Sequence, residues 1–86
     1  TMLMIQKKLL KYTVIYISEP EGGFTVTVPS LPGCVTYGKD LKEAEIMAKD
    51  AINLYLESLR DHKESIPAES KYFIGSIDLE FAYPHA

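Results

Sequence analysis

Residues 22–38 read GGFTVTVPSLPGCVTYG and contain two short runs of strand-forming residues with turn residues between them. Apolar and polar side chains alternate strictly over residues 24–28, which is the pattern of a half-buried strand. Pro29 then ends the strand because it lacks a backbone donor, and the Pro-Gly pair that follows supplies a turn. Residues 34–37 can form another short strand after this corner. The stretch therefore predicts two strands joined by a rigid corner, with Cys34 at the start of the second.

The residues before this stretch predict a first strand. Residues 12–18 (YTVIYIS) are β-branched and aromatic, and apolar side chains occupy both faces. Such a pattern is typical of a strand that is covered on both sides. The segment EPEGG at residues 19–23 is short and rich in turn residues, so the first two strands should form an antiparallel hairpin.

A long helix is predicted to begin after Asp40, which is a good N-cap residue with Glu43 three positions later in a variant of the capping box. Apolar residues recur at helical spacing along it, at Leu41, Ala44, Ala48, Ala51, Ile52, Tyr55 and Leu59. Further apolar residues lie beyond this stripe, at Ile46, Met47, Leu54 and Leu56. A stripe this wide predicts either deep packing or contact with another subunit.

Residues 72–81 are predicted to form a last strand, because Ile77, Leu79 and Phe81 alternate with polar residues. The predicted order is β-β-β-α-β, an α+β fold with an antiparallel three-stranded meander, a helix and a last strand. Residues 1–86 should form a single domain. No element is assigned to residues 1–11, and residues 82–86 are expected to be a flexible tail.

Composition restricts the partners and the compartment. Nine Lys/Arg against twelve Asp/Glu give a net charge of −3, which argues against nucleic acid as the main ligand and favours a basic protein partner. The single cysteine cannot form an internal disulfide, and no segment has the length of a membrane span. We therefore predict a cytoplasmic protein.

Catalytic and metal-binding roles are not supported by the residue pattern. A nucleophilic Cys34 would need a base, but His62 and His85 have no local signature that pairs them with it. The same three residues lack the close paired spacing of zinc ligands. A β-β-β-α-β order also occurs in ribonuclease-H-like nucleases, but the first predicted strand contains no acidic residue to hold a metal ion. We predict a non-enzymatic protein with no catalytic, cofactor-binding or metal site.

Taken together, residues 12–60 resemble the HicB antitoxin family. The likeness rests on a Gly-aromatic strand, a Pro-x-Leu-Pro-Gly-Cys corner, a Gly-polar-polar link and an Asp-Leu-x-Glu-Ala helix start. The residues that carry it, interpreted as structural, are Gly23, Phe24, Pro29, Leu31, Pro32, Gly33, Cys34, Gly38, Leu41, Glu43 and Ala44.

The resemblance implies a partial ribonuclease-H-like core that is kept as a binding scaffold. It also implies that the protein neutralises a small RNA-cleaving toxin similar to HicA. Many members of the family carry a C-terminal DNA-binding module, and this sequence ends after its last predicted strand, so we expect a stand-alone HicB-like domain without direct DNA binding. The alternative is a free-standing homo-oligomer, a dimer or a tetramer, that regulates another protein or binds a small ligand and has no toxin partner.

Overall fold

A computed structural model describes residues 7–84 of the chain. It contains three strands and one helix: β1 (Ile15–Ser18), β2 (Phe24–Thr27), β3 (Val35–Gly38) and α1 (Leu41–Asp61). The strands form an antiparallel sheet in the order β1-β2-β3. The predicted α+β class, the three-stranded meander and the helix are confirmed. Within the described residues, no helix combines the length and the apolar character that crossing a bilayer requires.

The strands are short because the corner limits the ladder. Ile15 of β1 pairs with Thr27, the last residue of β2. The next residue, Val28, bonds instead across the corner, where its amide donates to the Cys34 carbonyl at 3.2 Å. Residues 12–14, predicted as part of the first strand, therefore have no strand opposite them in β2.

Helix α1 begins and ends with local hydrogen bonds. The Asp40 carboxylate accepts from the Glu43 amide at 2.8 Å, as the N-cap prediction required. The Glu43 carboxylate reaches back to the Lys39 amide at 3.2 Å, one residue before the N-cap. At the other end, Lys63 adopts a positive φ of 57° and its amide donates to the Arg60 carbonyl. The predicted start of the helix after Asp40 is confirmed.

The core lies between the sheet and α1. One buried cluster joins Val26 of β2 to Ala44 and Ala48 of the helix. These small side chains let the helix lie close to the sheet, and Gly38 at the end of β3 is buried against Ala44. The second cluster consists of Val28, Leu31 and Cys34 and packs against the C-terminal half of α1.

The apolar helix residues outside the main stripe differ in burial. Ile46 and Leu54 are 55% and 67% exposed, and Met47 is also exposed. Leu56, by contrast, packs against the cluster at the corner. Most of this second apolar edge therefore lies at the surface of the single chain.

The predicted last strand is not formed within the single chain. Residues 64–84 contain no helix or strand, because an extended segment becomes a strand only where a neighbouring strand supplies its hydrogen bonds. The radius of gyration is 18.3 Å, against about 12 Å for a compact domain of this length, so the segment projects from the body. The ribonuclease-H-like core that would include this strand stays a prediction.

Candidate protein-binding surfaces

The corner at residues 29–34 is a packed structural element. Its backbone is closed by two bonds of 2.9 Å, from the Leu31 amide to the Val28 carbonyl and from the Cys34 amide to the Leu31 carbonyl. Gly33 has a φ of +83°, a conformation that other residues adopt only with strain. The Tyr55 hydroxyl of α1 donates to the Pro32 carbonyl at 2.8 Å and ties the corner to the helix.

The geometry around Cys34 suits a packing role. The thiol is free and buried, and burial raises its pKa, which disfavours the thiolate that a nucleophile or metal ligand requires. The His62 ring bonds to the Ser58 carbonyl at the end of α1. Among residues 7–84, no group of three or more His, Cys, Asp or Glu side chains is placed to hold a metal ion. His85, considered above as a base or ligand, lies outside the described residues, as do residues 1–6.

One face of the sheet is apolar and open. Val26 faces α1, so the residues that flank it along β2 face the opposite side, together with their pairing partners. We call this surface the open sheet face; it consists of Ile15, Ile17, Thr25, Thr27, Val35 and Tyr37. The exposed fractions of Ile17, Val35 and Tyr37 are 47%, 58% and 49%. This face is the second apolar side that the first strand was predicted to have, and no cover is present over it in the described part of the chain.

Acidic side chains lie at the turn that joins β1 and β2, at one end of the open sheet face. Glu19 accepts a hydrogen bond of 2.7 Å from the Thr25 hydroxyl on this face, and Glu21 follows in the same turn. The Tyr37 hydroxyl donates to the Gly22 carbonyl at 3.0 Å and holds the turn against β3. The face therefore combines an apolar centre with a negatively charged end.

A second surface is a groove beside β1. It has a volume of about 770 Å³. One wall is formed by β1 and the residues that precede it, and the other wall is formed by α1. Its apolar floor is formed by Val14, Tyr16, Ala48, Ile52 and Leu56, and its charged residues are Lys8, Lys11, Glu45 and Lys49. We call it the β1–α1 groove.

The chain that follows α1 is fastened to the body by a polar anchor. The Glu69 carboxylate accepts bonds of 2.8 Å from both Thr13 and Ser30. The Tyr12 hydroxyl donates to the Pro67 carbonyl, and the Tyr72 hydroxyl lies 3.2 Å from that of Ser30. Beyond this anchor, residues 73–83 form an exposed segment that we call the C-terminal arm.

The anchor shifts the pKa of Glu69. Partial desolvation raises the pKa of Glu69. Hydrogen bonds from Ser30 and Thr13 and the charge of Lys11 lower it by more than desolvation raises it, so the pKa lies below its usual value of 4.5. The ionised carboxylate stabilises the anchor at neutral pH. That contribution is complete above pH 4.5 and is lost as the pH falls through the lowered pKa.

We expect the anchor to release in a single step below pH 4.5. An NMR titration should show the Thr13 methyl and the Ser30 signals moving together with the Glu69 carboxyl carbon. In Glu69→Gln, which cannot ionise, the Thr13 and Ser30 signals should no longer show this step. If the Glu69 carboxyl group of the unmodified protein titrates with a midpoint at or above pH 4.5, its hydrogen bonds from Thr13 and Ser30 do not stabilise the ionised form, and the prediction is contradicted.

Comparison with known proteins decides the family. A family model described as the HicB-like antitoxin of bacterial toxin-antitoxin systems matches residues 12–82. The chain belongs to this family. The match includes all three strands and α1, and it confirms the resemblance inferred from the corner and the helix start.

Individual relatives of this HicB-like chain agree with the family match. A UPF0150 protein of Thermoplasma acidophilum is 51% identical over 61 residues, which is 71% of this chain and 88% of the relative. A UPF0150 protein of Synechocystis sp. is 35% identical over 68 residues, 79% of this chain and 86% of the relative. An uncharacterized 14.9 kDa protein of Haemophilus phage HP1 is 38% identical over 53 residues, 62% of this chain and 40% of the phage protein.

In this HicB-like chain, the motif residues lie at different depths in the fold. Leu31 and Ala44 are completely buried, Cys34 and Gly38 are buried, and Leu41 is 55% exposed. Phe24 begins β2 and Gly23 precedes it, Pro29, Pro32 and Gly33 lie in the corner, and the Glu43 amide donates to Asp40 in the first turn of α1. We propose that these residues maintain the HicB-like fold and that partners contact other surfaces.

Sequence reasoning did not find the residues of the anchor. Glu69 lies in a polar connection where nothing distinguishes it from its neighbours, and its partners are 56 and 39 residues away. The sequence did give a signal for the open sheet face, because apolar residues occupy both faces of the strand predicted at residues 12–18.

Proposed function

We propose that this chain is an antitoxin that binds and neutralises a small HicA-like RNA-cleaving toxin and has no catalytic activity of its own. The family match over residues 12–82 is the observation that carries the proposal. A toxin that acts on RNA would meet this protein in the cytoplasm.

The charge of the chain supports a basic partner. A protein that binds RNA needs positive charge to contact phosphates. The present chain carries a net charge of −3, and complementary potentials favour rapid and specific association between such proteins. The proposed antitoxin would thus be attracted to the surface that the toxin uses for RNA.

We propose the open sheet face as the surface that contacts the toxin. Its exposed apolar residues form a patch on a rigid sheet, and exposed apolar patches commonly mark protein interfaces. Glu19 and Glu21 lie at its end and would form the acidic rim of the interface. The apolar centre would supply affinity, while the rim would select a basic partner.

The test is an RNA-cleavage assay with a HicA-like toxin from the same source, at about 150 mM salt, where long-range surface charge is screened. The unmodified protein should inhibit cleavage. Ile17→Lys should weaken inhibition about 30-fold, since a positive charge in the apolar patch would be buried against a basic partner and costs about 2 kcal/mol.

Leu54→Lys is the matched control because Leu54 is exposed on α1, outside the open sheet face, and receives the same charge. This variant should inhibit cleavage like the unmodified protein. Failure of the unmodified protein to inhibit would overturn the proposed function, while equal losses in both variants would refute the assignment of the surface.

A second candidate function is a homo-oligomeric regulatory or ligand-binding domain without a toxin partner. The exposed residues Ile46 and Leu54 on α1 favour it, since they form an apolar edge that another subunit could cover. This second function would be supported if the protein forms a stable oligomer that neither binds a HicA-like toxin nor changes the toxin's cleavage of RNA.

A further inference from the structure

The C-terminal arm exposes an unusual amount of apolar surface. Ile77, Leu79, Phe81 and Tyr83 alternate with other residues, and their side chains are 90%, 80%, 69% and 82% exposed. Alternation of this kind places the four side chains on one face when the segment is extended. An arm with such a face is suited to lie as a strand against an apolar surface.

The β1–α1 groove is a surface of the matching kind. β1 pairs with β2 on one side only, so among the described residues its other edge has no strand beside it. The groove is lined by Tyr16 of β1, by residues that precede β1 and by apolar residues of α1. A strand added along β1 would complete backbone hydrogen bonds on one side and place alternate side chains against α1.

The charges of the arm and the groove are complementary. The groove is bordered by Lys8, Lys11 and Lys49 against a single acid, Glu45. The arm carries Asp78 and Glu80 and no basic residue. A net positive border therefore faces a negative strand, which favours their association.

The position of the anchor directs the arm away from its own chain. Bonds from Thr13, Ser30 and Tyr12 hold residues 67–72 against the body, and the arm extends from that point. The molecule measures 77 Å along its longest axis but only 27 and 20 Å along the others. None of the arm residues lines the groove of the same chain. Eleven extended residues span about 36 Å, enough to reach a neighbouring molecule.

We infer that two copies of this chain exchange their C-terminal arms, so that residues 73–83 of each copy lie as a fourth strand along β1 in the β1–α1 groove of the other. A reciprocal exchange closes with two-fold symmetry and covers both exposed β1 edges. It leaves the open sheet face accessible, so it is independent of the proposed toxin contact.

Light scattering on the full chain tests the dimer. The unmodified protein should have twice the chain mass of 9.7 kDa. Leu79→Glu should weaken the dimer about a hundredfold and give the monomer mass at micromolar concentration, because it places a charge in the apolar floor. Val35→Glu, the same kind of change on the open sheet face, which the exchange leaves uncovered, should remain dimeric. Leu79 is 80% exposed in the single chain, so its substitution leaves the fold of the body intact.

A second measurement decides which chain the arm contacts. In an equimolar mixture of isotope-labelled and unlabelled protein, isotope-filtered NMR should detect contacts between the Leu79 methyls and Ile52 of a different copy. A monomer whose arm contacts its own Ile52 would overturn the exchange. A dimer in which Leu79 has no contact with the groove, or a dimer unaffected by Leu79→Glu, would also overturn it.

Discussion

Gly38→Ala is expected to lower the free energy of unfolding by about 3 kcal/mol, at the upper end of the cost of overpacking a core. A Cβ atom at position 38 would overlap the backbone nitrogen and Cα of Ala44 and lie 2.8 Å from its Cβ. The backbone there is held by the bond of 2.8 Å from the Ala44 amide to the Asp40 carbonyl, so the first turn of α1 cannot yield locally. The helix would have to move away from β3.

Urea denaturation followed by circular dichroism measures this loss, and the melting temperature should fall by roughly 15 °C for a domain of this size. Gly75→Ala is the control, because a Cβ at position 75 meets nothing within 4 Å, and its effect should remain within about 0.5 kcal/mol. A loss below about 1 kcal/mol for Gly38→Ala would mean that α1 is not fixed against the end of β3.

Leu31→Ala is expected to cost about 3 kcal/mol, within the range found when a buried leucine is truncated. Leu31 is completely buried in the cluster with Val28 and Cys34, and Tyr55 and Leu56 of α1 pack against that cluster. Removing its side chain leaves a cavity between the corner and the helix. The corner backbone can collapse only partly, because the bond from Tyr55 to Pro32 holds it in place.

The same denaturation experiment measures this effect, with Leu54→Ala as the matched control. Leu54 is 67% exposed and should lose about 0.5 kcal/mol or less. Equal stabilities of the two variants would show that the corner does not pack on α1. A change in the denaturant slope would point instead to an altered unfolded state.

Most of the fold was predictable because its determinants are local. The hairpin follows from the alternation in residues 24–28 and from a turn of five residues. The helix start follows from Asp40 and Glu43, which are three residues apart, and the structure places the expected bond between them. Signals of this kind need only the neighbouring residues, so the sequence displays them directly.

The candidate surfaces were predictable only in part. The apolar residues that alternate within residues 12–18 indicated that the first strand has two apolar faces, and the structure shows that one of these faces is open. The predicted start of this strand at residue 12 was wrong, since β1 begins at Ile15. The groove joins residues 8–16 to residues 45–56, and Glu69 of the anchor lies 56 and 39 positions from its partners, so no local pattern links these residues.

The hairpin, the corner, the helix and the family could all be inferred without coordinates, because alternation, turn residues and capping act over a few positions. The tertiary structure alone decided the state of residues 72–81. Their alternating pattern is that of a strand, yet a strand forms only where another edge supplies hydrogen bonds, and the anchor at Glu69 directs this segment away from the edge of its own sheet.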